Sequence, residues 1–161
     1  MRHPILRDGL IAGAIGAMSV AIWFFFVDLF FGQPLATPYA LGRSLFGFIG
    51  ADASNKPLVV AVYTVFHFAA FAGVGLIAAV VIQWAENVPT VLAGAFLFFI
   101  VIEAGFYLMM LVLAKSPSYG ALSAAQVAIG NLIAAIGMGT FFWRTHPKLK
   151  SGLDYALSGR P

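Results

Sequence analysis

Four stretches of the chain, Gly9 to Phe31, Leu58 to Trp84, Val91 to Leu113 and Leu122 to Trp143, are apolar almost without interruption. Each is near the length of about 20 residues that a helix needs to cross about 30 Å of hydrocarbon. None alternates apolar with polar positions, the pattern a membrane barrel requires. In lipid the backbone then has one way left to satisfy its own N–H and C=O groups, so all four are predicted as transmembrane helices. Their connections are short except Gly32 to Pro57, and helices joined by short turns pack antiparallel. The expected architecture is all-α: a single integral membrane domain over residues 1–161, polytopic, an antiparallel bundle of four transmembrane helices.

The long connection carries its own pattern. Gly32-Gln33-Pro34-Leu35-Ala36-Thr37-Pro38 is a turn-rich break, with Thr37 expected as N-cap and Pro38 at the first helical position. A short helix from Pro38 to about Ile49 is predicted next, lying along the outer interface between spans one and two. Leu41, Leu45, Phe48 and Ile49 would face lipid or bundle, and Arg43 and Ser44 water. Asp28 sits about one turn before the first span ends. It can anchor the loop by accepting hydrogen bonds from the returning segment or by pairing with Arg43.

Within the first span, Gly9, Ala12, Gly13, Gly16 and Ala17 give way to Trp23, Phe24, Phe25 and Phe26. Small residues at spacings of three and four admit a neighbouring helix closely. The span therefore has a packing half and a filling half.

Composition agrees with this reading: 61% of the 161 residues are hydrophobic and only 9% charged, outside the soluble range. Arg2 and Arg7 precede the first span, and a basic tail over residues 144–161 holds Arg144, Lys148, Lys150 and Arg160. The opposite face carries only Arg43, Lys56 and Lys115. This asymmetry predicts a bacterial inner-membrane protein with both termini cytoplasmic. The opening Met-Arg-His-Pro-Ile-Leu-Arg looks like a signal n-region, but no small-residue cleavage site cuts the following run, so the first span is expected to stay. The basic flanks suit anionic headgroups, and no nucleic-acid signature accompanies them. Without cysteine there is no disulfide, thiolate metal site or iron–sulfur ligation.

Two ionisable side chains, His67 and Glu103, lie deep within apolar runs, where a charge is costly unless paired or neutralised. Counted from the outer ends of their spans, His67, Glu103 and Asn131 fall about 13 to 15 Å deep, which predicts one intramembrane polar layer. His67 and Glu103 would meet there as an ion pair or as two neutral groups. Tyr63, His67 and Phe71 recur every four residues and share one helix face, as do Phe99, Glu103 and Tyr107. These aromatic positions are the candidate cofactor contacts.

A bis-histidine haem needs two histidines inside the bundle, and this chain has His67 alone at depth, with His3 and His146 near the ends. Zinc needs three or four ligands where only His67 and Glu103 converge, so no metal site is expected. No catalytic motif is present, and the spans lack the internal prolines of broken transporter helices. An enzyme is not expected.

The stretch Trp23-Phe24-Phe25-Phe26-Val27-Asp28, continuing to Gly32, Pro34, Leu35, Thr37, Pro38 and Leu41-Gly42, resembles a segment of uncharacterised four-helix bacterial inner-membrane proteins. That resemblance implies the four-helix fold and carries no activity. The functional expectation is a non-catalytic accessory or structural subunit, packed against other transmembrane subunits of a larger photosynthetic or respiratory complex. No cofactor is required. The alternatives are a subunit binding a chlorophyll-type pigment or a quinone through His67 with Tyr63, Phe71 and Tyr107, and a small proton or ion carrier using Glu103 and His67.

Overall fold

A computed structural model describes residues 4–88, 90–92, 96, 100 and 124–149 of the chain. Among them the regular elements are four helices: α1 (Pro4–Phe30), α2 (Ala36–Phe48), α3 (Lys56–Ala85) and α4 (Ala124–Thr145). Three are long and apolar enough to cross a membrane, over Ile5–Phe30, Lys56–Ala85 and Ala125–Thr145. These helices mark a multi-pass membrane protein. The predicted span from Val91 to Leu113 falls largely outside the described residues, as do Phe99, Glu103, Tyr107 and the end of the basic tail.

The observed helices outrun the apolar stretches. α1 starts at Pro4, five residues before Gly9, because proline with its fixed φ suits a first helical turn. The polar pair Arg7 and Asp8 is thereby inside the helix, with Arg7 Nε 2.9 Å from Asp8 Oδ1. α3 is capped by Asn55, whose side chain accepts from the Leu58 amide at 3.1 Å, with proline in the first turn. Ahead of that cap, the Ser54 hydroxyl and amide both donate to Asp52. These bonds hold the exposed Asp52 carboxyl below its ordinary value of 3.8.

Both α1 and α2 end in the same motif. Gly32 and Gly50 each adopt φ +68°. Around them, Gly32 N–H bonds Leu29 O and Gln33 N–H bonds Asp28 O, while Gly50 bonds Gly47 O and Ala51 bonds Phe46 O. A left-handed residue closed by these two bonds satisfies the last carbonyls of a helix, and glycine adopts it at least cost.

α1 packs between α3 and α4 and runs antiparallel to both, because its early residues meet late residues of the other two. The small-residue half of α1 does this on α3. A Cβ at Gly9 would stand 2.8 Å from Leu76 Cα, one at Gly13 would meet Phe71 O and Ala72 Cα, and one at Gly75 would meet Gly9 O and the Gly13 backbone. Where lipid is as apolar as leucine, such close approach is how helices gain packing. On α4, Met138 and Phe142 join Ala12 and Ala79 in one core cluster, and Val127 and Ala134 join Val20 and Phe24 in another. α2 lies on α3, with Gly42 against Val59 and Tyr63. Phe46 is buried on α2, whereas Phe48 is 90% exposed.

Gly75→Ala places a methyl on the Gly9 carbonyl and is expected to cost about 1–3 kcal/mol, as overpacking does. Gly73, two residues away, faces open space, so Gly73→Ala is expected to be neutral or to gain up to about 1 kcal/mol from helix propensity. Thermal unfolding of the two variants in one detergent checks the contrast.

Candidate functional site

Thr37 is not an N-cap. α2 begins one residue earlier, at Ala36, after Leu35 in the left-handed region (φ 65°, ψ 19°) with no side-chain cap of its own. Pro38 is accordingly the third helical residue. The capping group arrives from α1 instead: Asp28 Oδ2 accepts from the Thr37 amide at 2.8 Å and Oδ1 from the Thr37 hydroxyl at 2.6 Å. Both residues are buried. A carboxylate there satisfies an orphan amide of the α2 N-terminus and complements the positive end of its dipole. Left-handed backbone at a branched residue costs roughly 1–2 kcal/mol, and the two charge-assisted bonds offset it. Arg43 takes no part. It is exposed, 5.9 Å over the Tyr39 ring, with Lys56 Nζ 5.3 Å from the same ring.

Beside this anchor a cavity of about 320 Å³ opens between α1, α2 and α3. Its walls are almost wholly apolar, and Asp28, Thr37, Tyr63, Thr64 and His67 are the polar residues that reach it. Thr64 is turned back on its own helix, donating to Val60 O at 2.8 Å. His67 Nε2 lies 3.1 Å from Ala17 O on α1. A carbonyl only accepts, so that nitrogen carries the proton and the imidazole ties α3 to α1. Nδ1 then holds the lone pair of the ring.

The aromatic stripe is real but divided. His67 has the Tyr63 ring at 5.9 Å and the Phe71 ring at 4.8 Å. Phe71, however, packs onto the Val20–Phe24 core and does not line the cavity. Glu103 and Tyr107 lie outside the described residues. Asn131 is half-buried and partnered on α4. It does not share a level with His67: His67 meets α1 at Ala17, whereas neighbouring Gly130 meets it at Trp23, six residues and about 9 Å further on. The depth count ran from Leu58, whereas α3 starts two residues before it.

A second polar group, not expected from the sequence, gathers where α1 begins and α3 and α4 end. His146 Nδ1 is 2.9 Å from Glu86 Oε1, and its Nε2 is 3.5 Å from Asp8 Oδ2. The latter nitrogen is buried and, among the described residues, has no hydrogen-bond partner. A cavity of about 150 Å³ lies among Ile5, Asp8, Ala79, Gln83, Glu86 and His146. Imidazole beside the C-termini of two helices suits their negative dipole ends. Counting depth from this end as well would have aligned the three residues. Among the described residues, no group of three or more His, Asp or Glu side chains is arranged to hold a metal ion.

Asp28→Leu is expected to lower the unfolding free energy by about 2–3 kcal/mol, and Asp28→Asn, which keeps an acceptor, by less than half of that. His146→Leu leaves Asp8 and Glu86 without the imidazole between them and is expected to cost about 1–3 kcal/mol, with His146→Gln milder. Chemical unfolding in mixed micelles measures both series.

No protein-family model, curated protein or solved structure matches the chain, so its functional reading rests on these side chains and the spaces between them.

Proposed function

We propose that the chain is a non-catalytic structural subunit of a larger assembly in a bacterial inner membrane. The observation that carries this reading is the His67 bond to the Ala17 carbonyl. The most suspicious ionisable group in the spans serves as a tie between helices. Two further ties agree with it: Trp23 Nε1 donates to Gln126 O at 2.8 Å, joining α1 to α4, and Asp28 joins α1 to α2. Polar groups used in this way set helix register where lipid offers no hydrophobic drive.

The membrane arrangement belongs to the same proposal. α3 ends beside the start of α1, and α4 starts at the opposite end, which supports four crossings with both termini on one face. Arg7, Arg144 and Lys148 cluster at that face and favour the cytoplasm. α2 has 13 residues, too few to span, and its exposed Arg43 and Phe48 suit an interface.

Extraction from native membrane in a mild detergent should bring the chain out with other transmembrane subunits. Recovery as a lone species, with no chain in constant ratio to it, would argue against the subunit reading. His67→Leu is expected to lose about 1 kcal/mol of stability and to weaken that association, whereas His67→Gln, which retains an N–H donor, preserves it. A metal-ligating histidine would instead show the loss in both variants, since glutamine replaces a tie but not an imidazole ligand.

A further inference from the structure

We propose that the cavity between α1, α2 and α3 is a binding site for one lipid-soluble quinone. The inference goes beyond the subunit reading, and the polar atoms that tie the helices are not the ones it assigns to the ligand.

Access comes first. The exposed rim of the cavity includes Met18, Ala21, Ile22 and Phe25, all in the middle or later half of the α1 span. An opening at that depth faces hydrocarbon, so the occupant enters from the lipid phase and is itself lipid-soluble. The apolar lining agrees.

Polar chemistry narrows the class. Tyr63 lies seven residues into α3, about 10 Å below its start. It lines the cavity, and among the described residues its hydroxyl has no hydrogen-bond partner. A phenol at that depth seeks an acceptor, because an unmet hydroxyl in an apolar surround is costly. Asp28, Thr37, Thr64 and the His67 Nε2 are already engaged. The occupant therefore offers a carbonyl to Tyr63 and otherwise presents apolar or aromatic surface. Phe68 and His67 supply rings beside it. A saturated acyl chain provides no acceptor at this depth.

Size narrows it again. The volume is at the small end of ligand pockets, suited to one substituted ring and the beginning of its tail. A tetrapyrrole is too large for it. A ring bearing carbonyls, with an isoprenoid tail leaving through the rim into lipid, satisfies every constraint.

The test uses the purified full chain in nanodiscs with decylubiquinone as the probe and dodecanol as an acyl-like competitor. Saturable binding at one site per chain is expected, with a rise in thermal midpoint that follows occupancy. Tyr63→Phe should bind roughly tenfold more weakly, the loss of one hydrogen bond, while the ligand-free variant unfolds no earlier than the wild type. Ala21→Trp, which puts bulk at the rim, should abolish binding without touching Tyr63. No saturable binding, or equal displacement by dodecanol together with unchanged affinity in Tyr63→Phe, overturns the proposal. Because this readout needs no partner chains, its failure is distinct from a failure of co-extraction.

Discussion

The approach of α1 to α3 at Gly9, Gly13 and Gly75 sets the geometry of everything else. With no side chain between the two backbones, the helices sit closer there than any larger residue would permit. That separation brings the His67 ring within 3.1 Å of the Ala17 carbonyl two turns toward one end. At the other end it lets Glu86 and Asp8 share His146. The contact exists because hydrocarbon removes the usual reason for helices to associate. Close packing and a few hydrogen bonds are what is left. Farther along α1 the residues become bulky, and the space between the helices becomes a cavity.

Much of this was legible in the linear pattern, and the reasons are particular. Long apolar runs announced α1, α3 and α4, since length and hydropathy are what a bilayer selects. The small half of α1 foretold the close contact, whereas the bulky half, expected to fill, borders a cavity. Gly32 marked a real helix end. Thr37 was misplaced as a cap because the sequence offers its hydroxyl locally, while the capping carboxylate comes from nine residues upstream. His67 and Asn131 stand at different heights for a similar reason, and Glu103 lies outside the described residues. Depth was counted from apolar boundaries, and helices continue past those boundaries into Lys56, Pro57 and Arg7.

His146 illustrates what a chain pattern hides. Nothing near it in sequence suggests a partner, and both its neighbours come from other helices, one of them sixty residues away. His67 is received by a backbone carbonyl and Asp28 by a neighbouring hydroxyl and amide. Two groups without a hydrogen-bond partner among the described residues are informative: the buried His146 Nε2 and the Tyr63 hydroxyl at the cavity. A polar atom already bonded explains itself, whereas one left over implies something that completes it.

The sequence separations of these contacts also impose an order on biogenesis. The bonds between Asp28 and Thr37 span nine residues and can form once α2 has emerged. The tie from His67 to Ala17 spans fifty and must wait until α3 is made and inserted beside α1. Trp23 reaches Gln126 across 103 residues, and His146 closes on Asp8 only after α4 is complete. Until then Asp8 has only its neighbour Arg7, and the finished cluster marks a chain in which α4 has joined α1 and α3.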